Sequence, residues 1–296
     1  MIKCKRSKAV IHRLQKKGDS MKRNIITDSS SDLTSLKRTP LSVVPLKIIT
    51  DEKQYIDDGS LDSVNMLSEL EKYKGRSRSS CPNPDEYLEA FGEADEVFCV
   101  TITSGLSGSY NSAAAAAKMF EQSGDDKRAL VIDSLSTGPE SALILEKIEE
   151  LTESGLSFDE INEKIGEYQK HTHLIFSLES LTNLARNGRV SSIVAKICGV
   201  LGIRVIGKAS DVGTLEVTNK ARGERNAIKT VLENMKKTGY TGGRVKIHHA
   251  NNEGAALLLK SLILEEFSEA SIDVQTTGGL CSFYAEKGGV LVGYEA

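Results

Sequence analysis

Short apolar runs alternate with runs of helical spacing along most of this chain, and that alternation restricts it to sheets covered by helices. The most decisive unit is Glu96–Ile102, a buried strand carrying Val97, Phe98, Cys99, Val100 and Ile102. It runs straight into Thr103-Ser104-Gly105-Leu106-Ser107-Gly108-Ser109 and then into an Ala-rich helix over Tyr110–Phe120, whose intrinsic propensity is high. Upstream, a short strand over Asn24–Thr27 ends in the polar loop Asp28-Ser29-Ser30-Ser31-Asp32. Alternation of this kind implies a mostly parallel sheet covered on both faces, and such sheets bind ligands beyond the carboxyl ends of their strands. The serine-rich loops after Thr27 and Ile102 fall there.

Between those strands, Leu41–Ile49 is a second apolar run, Gln54–Gly59 reads as a turn with an acidic tip, and Ser63–Tyr73 has helical spacing. The segment Arg76–Pro84 is extended because residues before proline avoid the helical region, and Asp85–Gly92 is a short helix. A strand over Leu130–Asp133 and a helix over Pro139–Glu153 follow. The second half begins near His171. It carries a strand at Leu174–Phe176, a helical run at Ile193–Val200, strands at Arg204–Ile206 and Leu215–Val217, and an amphipathic helix over Arg225–Met235. Val245–His249, a helix over Gly254–Phe267, Ile272–Thr276 and a terminal strand over Gly289–Gly293 complete it. The expected fold is α/β with two α/β domains, the first holding a mostly parallel Rossmann-like sheet over residues 21–170, the second a mixed α/β domain over 171–296. A chain of 296 residues fits two such domains better than one.

Charge and composition narrow the partners. The formal net charge is -3 and tryptophan is absent, which argues against nucleic acid, where a basic face and stacking aromatics are expected. The five cysteines are scattered with no CxxC pair, so no zinc ribbon or redox motif is expected, and the usage suits a reducing cytoplasm. No apolar run reaches the roughly 18 residues of a membrane span. Residues 1–20 carry seven lysines and arginines without an apolar core, so they do not read as a secretory signal. Two readings remain for them: a basic amphipathic membrane anchor, or a disordered or helical extension ahead of a start at Met21, which is the reading adopted.

The loop Ser104–Ser109 is the most informative segment chemically. Gly105 and Gly108 let the backbone turn tightly and expose N–H groups, and the next helix aims its positive end at the loop. With hydroxyls at Ser104, Ser107 and Ser109, these describe an anion site for carboxylate or phosphate; the plainer reading is a helix cap. Ser79 and Ser80 present hydroxyls to the same ligand or belong to a stiff polar linker. Asp28, Ser29, Ser30 and His249 are further ligand-site or supporting candidates at strand ends. No metal is expected, because Asp28, Asp32, Asp57 and Asp58 lack a fixed ligand spacing. The loop is neither GxSxG, nor a P-loop, nor GxGxxG, so no nucleotide cofactor is expected; a triad of Ser107 with His249 and an Asp remains a matter of geometry.

At these residues the sequence resembles the DegV family, whose studied members are the fatty-acid-binding subunits of bacterial fatty acid kinase. The resemblance covers nearly everything from Met21 to Ala296. It is carried by Ile25–Leu33, Val44-Pro45-Leu46, Ser79–Pro84, Ser104–Tyr110, Asp133-Ser134, Asn187–Val190 and His249-Ala250-Asn251. It implies a long apolar tunnel between two α/β domains that holds the acyl chain. The carboxylate is then held by Ser79, Ser80 and Ser107, with the Gly108 backbone beside them. A separate kinase catalytic subunit phosphorylates that carboxylate, and Arg189 of the Gly188-Arg189 pair lies on the surface associated with it. The chain itself is then a non-catalytic, substrate-presenting protein. Two departures stand out. The family's Thr-Ser-Gln-Pro reads Ser79-Ser80-Cys81-Pro82, and its His-x-Gly-Pro-Gly loop reads Ala285-Glu286-Lys287-Gly288-Gly289, where Lys287 is the candidate replacement cation and an inward Glu286 would repel a carboxylate. The rival functions are a binder of another anionic lipid or small acid, and a serine esterase using Ser107.

Overall fold

The computed structural model describes residues 21–191 and 202–296. The basic extension at 1–20 and the helical run at 193–200 lie outside the described residues. In chain order, β1 (Arg23–Asp28) enters a 3-10 turn at Ser29–Ser31, and β2 (Leu41–Val44) follows. The expected single run Leu41–Ile49 is divided at Pro45-Leu46. The amide of Leu46 is taken by the Ser29 hydroxyl at 3.0 Å rather than by a neighbouring strand. β3 (Lys47–Thr50) then starts a separate antiparallel sheet with β4 (Gln54–Ile56) and, beyond helix α1 (Ser63–Lys72), with β5 (Ser77–Ser80). The stretch read as a turn with an acidic tip is therefore a strand: Tyr55 is buried between exposed neighbours, and the tip residue Asp57 is buried as well.

Helix α2 (Pro84–Phe91) begins with proline and a reciprocal Asn83–Glu86 capping box. It leads to β6 (Glu96–Thr101), α3 (Ser109–Gln122) and β7 (Arg128–Asp133). The sheet order is β2-β1-β6-β7, all parallel. β6 is buried along its whole length because both faces are used. Phe98 and Val100 enter one core, and Val97 and Cys99 pack in another with Tyr87, Phe91 and Phe120. Cys99 thus behaves as a small hydrophobe.

Helices α4 (Gly138–Glu153) and α5 (Phe158–Tyr168) precede the second sheet. Its strands are β8 (Thr172–Leu178), then, past the short helix α6 (Thr182–Arg186), β9 (Ile203–Ala209) and β10 (Leu215–Arg222). Helix α7 (Glu224–Lys237), β11 (Val245–His249), α8 (Glu253–Glu266), β12 (Ile272–Thr276), α9 (Gly279–Ala285) and β13 (Val290–Glu295) complete the chain. The order is β10-β9-β8-β13-β11-β12, mixed in direction. The fold is thus two α/β units, one around a parallel sheet and one around a mixed sheet. Among the described residues no helix is long and apolar enough to cross a membrane.

Helix α4 is the shared layer, packing on β1 and β6 of the first unit and on β8, β11 and β13 of the second. Its first turn lies against Gly293 of β13, where an added Cβ would stand 2.5 Å from the Glu140 nitrogen. Only a glycine admits backbone that close.

Candidate functional site

A narrow cavity of about 70 Å³ lies where the two units meet. Three of its lining residues, Leu174, Phe176 and Leu178, are alternate residues of β8, so strand period alone puts them on one face. Ile175, between them, points into the opposite core. Helix α9 supplies Leu280, Cys281, Tyr284 and Ala285, β13 supplies Leu291, and the first unit adds Leu46, Ile102 and Leu106. This lining is hydrocarbon for most of its extent.

Apart from the Thr137 hydroxyl, the polar side chains of the lining come from two serine loops, Tyr284 and Arg189. Ser79 at the end of β5 shares a 2.7 Å hydrogen bond with the Tyr284 hydroxyl, and both line the cavity. Ser107 lines it as well, from the loop before α3. The two serine loops touch at residue 108, where an added Cβ would lie 3.3 Å from Cys81 Sγ, a tight contact that a small shift of the sulfur would relieve. Ser107 Oγ accepts the Ser109 amide at 3.3 Å, one of the donors that the start of a helix leaves without a helical partner. Arg189 closes the group. Its Nε donates to the Leu106 carbonyl at 3.1 Å, its Nη1 donates to the Asn187 carbonyl, and its guanidinium stands 6.0 Å from the Tyr284 ring centre. Among the described lining residues Arg189 is the one with a formal charge.

Burial holds the Tyr284 phenol above its ordinary value, opposed by the Ser79 bond and the Arg189 charge, so it stays a neutral hydroxyl that can donate. Burial also pushes the Cys281 thiol well up. That thiol and the Thr137 hydroxyl both point at the Ser30 carbonyl, at 3.3 Å each. The arrangement can hold one anionic head between two serine hydroxyls, a phenol and a guanidinium, with an apolar body beyond it.

The expected residues divide into those at the cavity and those behind it. Ser79, Ser107 and Arg189 line it. Ser80 does not; its hydroxyl turns back to the Cys81 carbonyl at 3.3 Å. Gly108 acts as the point of loop approach just described. Asp28 is fully buried behind the loops and ties them together: its carboxylate accepts from the hydroxyls of Ser109 and Ser30 at 2.5 Å each and from the Ile102 amide at 3.0 Å. Burial raises its pKa, against those hydrogen bonds. Ser29 caps Leu46 as described, and Ser104 is exposed with its amide on Asp133 at 3.0 Å.

Two expectations fail on position. His249 does not line the cavity; its Nδ1 accepts the Asn252 amide at 3.3 Å, and a histidine in that turn is not beside Ser107. Lys287 is exposed, 3.8 Å from Glu71, and faces a different cleft, so it is no replacement cation for the head group. Glu286 does not repel an anion there either, because its carboxylate turns away to accept the Asn183 amide at 2.9 Å. Asp57 accepts the Gly279 and Leu280 amides at 2.7 and 2.9 Å, which anchors the helix that carries Tyr284. Tyr284, Thr137 and the β8 face were missed in the sequence. For β8 the alternating Leu-x-Phe-x-Leu was a usable signal; for Tyr284 none existed.

Comparison with known proteins gives one family. The model described as "Uncharacterised protein, DegV family" matches residues 22–296. A DegV domain-containing protein of Streptococcus pneumoniae is 43% identical over 275 residues, covering 92% of this chain and 98% of the relative. A solved DegV family protein from Eubacterium eligens, described as loaded with heptadecanoic acid, is 44% identical with a TM-score of 0.90, covering 93% of this chain and 99% of that one. The Streptococcus pneumoniae fatty acid kinase (Fak) B3 protein, described as loaded with linoleic acid, is 43% identical with a TM-score of 0.91 and the same coverage.

Proposed function

The chain belongs to the DegV family, and from that premise and the cavity we propose that it binds a long-chain fatty acid and presents the carboxylate to a separate kinase subunit. The observation that carries this reading is the cavity itself, apolar along its walls with Ser79, Ser107, Tyr284 and Arg189 gathered in one place. Each methylene buried from water contributes about 0.8 kcal/mol, so a long acyl chain supplies most of the affinity. The carboxylate needs hydrogen bonds or a counter-charge when it leaves water, and that group of four supplies both. Relatives more than 40% identical are described as loaded with such acids.

The chain carries its ligand without transforming it. Among the described residues lining the cavity there is no histidine and no carboxylate to act as a general base beside Ser107. That favours a carrier over the esterase reading. The unit boundary at residues 170/171 and a cytoplasmic setting belong to the same proposal. β7 of the parallel sheet ends at Asp133 and β8 of the mixed sheet begins at Thr172, with α4 and α5 between them.

The test is titration with a fluorescent long-chain acid, followed by addition of ATP and a kinase catalytic subunit of a related system. Saturation at one acid per chain and formation of acyl phosphate support the proposal. Failure to displace the probe with any unlabelled long-chain acid contradicts it.

A further inference from the structure

The inference rests on the proposed fatty-acid cavity and concerns what sets its bore. Phe176 projects from β8 into the cavity wall, and its partner directly across the antiparallel ladder is Gly207 of β9. Cross-strand partners project to the same face of a sheet. The neighbouring residues on that face of β9, Val205 and Ala209, belong to the same apolar cluster as Phe176. Gly207 is therefore a gap in a row of side chains. The Phe176 ring fills it: an added Cβ at 207 would stand 2.7 Å from ring atom Cε2 and closer still to Cζ. The same Cβ would meet the Glu216 carbonyl at 2.5 Å, so Gly207 is pressed from both β8 and β10.

We propose that the Phe176–Gly207 pair is the acyl-chain selector of this protein, the hollow over Gly207 holding the ring against the sheet and leaving the bore open to a long chain. Nothing else on that face of β9 replaces the hollow, because Val205 and Ala209 both carry a Cβ. With a side chain at 207 the ring has one direction of retreat, into the cavity. With the ring removed, the bore widens by most of an aromatic side chain.

Competition binding across saturated acids of increasing chain length, with branched and unsaturated acids of the same carbon number, reads this directly. Four proteins are compared: wild type, Gly207→Ala, Phe176→Ala and the double variant Gly207→Ala/Phe176→Leu. In Gly207→Ala the longest and bulkiest acids lose at least tenfold in affinity relative to the shortest. Phe176→Ala gains relative affinity for branched or bent acids. The double variant returns toward the wild-type order, because a smaller side chain no longer needs the hollow. If Gly207→Ala does not fold, given the Glu216 contact, Phe176→Ala still decides the matter. Unchanged relative affinities in every folded variant overturn the selector while leaving the fatty-acid reading in place. A wild-type protein that binds no acid in the panel overturns that reading itself.

Discussion

Replacing Tyr284 by phenylalanine removes one oxygen from the wall of the cavity and nothing else. The ring stays in its packing against Phe283, 4.8 Å between centres, so the bore is unchanged. The lost atom is the hydroxyl 2.7 Å from Ser79 Oγ, in a side chain whose buried phenol remains protonated and able to donate. If that hydroxyl serves a bound carboxylate, directly or by orienting Ser79, one charge-assisted bond is lost. Such a bond contributes about 1.5–3 kcal/mol, or roughly a 10- to 150-fold rise in Kd. Calorimetry with a long-chain acid measures the loss, and the methyl ester of the same acid is the control. The ester has no charge to pair and should bind wild type and variant alike. Ser79→Ala should cost a similar amount, and the double variant less than the sum, because one hydrogen bond joins the two sites. Equal losses for acid and ester, or no loss for the acid, would refute the reasoning: the first means packing, the second means that the head group lies elsewhere.

Further outcomes follow from the same geometry. Ser107→Ala should raise the Kd for the acid within the same range on calorimetry, with the folding midpoint nearly unchanged, since Ser107 Oγ otherwise accepts only a long bond from the Ser109 amide. Asp28→Ala leaves the buried donors of Ser109, Ser30 and Ile102 without their acceptor and should cost about 3 kcal/mol or more in urea unfolding. Glu140, almost fully buried, has its pKa pushed up to about 7 by burial, from an ordinary 4.5. A raised folded pKa means that between about pH 4.5 and 7 the folded chain holds a proton that the unfolded chain has lost. Its contribution to stability is thus present at low pH and fades as pH rises through that window, by about 3 kcal/mol at 1.36 kcal/mol per unit. Glu140→Gln keeps an acceptor for the Thr172 hydroxyl, now at 3.0 Å, and should flatten that decline and stabilise the protein at pH 8 in pH-dependent urea melts.

What could be read in the sequence depended on whether the signal was local. β6 was legible because a strand buried on both faces is a continuous apolar run, and the loops at its carboxyl end followed from strand–helix alternation. The place of Ser107 was legible for the same reason; Ser79 reads from the sequence as either a ligand contact or a stiff linker, and only the family resemblance puts it at the site. Tyr284 was not: α9 has only seven residues, begins at Gly279 and is buried almost all round, so it shows no amphipathic period. Its partner Ser79 is 205 residues away, a contact that no spacing rule reaches. The strand β4 was lost to its length of three residues, and the inward turn of Asp57 depends on amides donated from α9. Helix α5 is a different kind of miss. Its capping box at Ser157–Glu160 and its apolar residues Phe158, Ile161 and Ile165 carried a usable signal. His249 is a candidate from its place at a strand end and Lys287 from its place in the loop where the family carries histidine, and the direction of a side chain in a turn is set by the local hydrogen bonds that only the structure displays.

The most direct measurement is solvent extraction of the protein purified from cells, followed by mass spectrometry of the extract. The expected result is about one long-chain fatty acid per chain, with Ser107→Ala and Tyr284→Phe proteins carrying less. A wild-type protein that emerges with no fatty acid, and takes none up when incubated with a long-chain acid, contradicts the central claim.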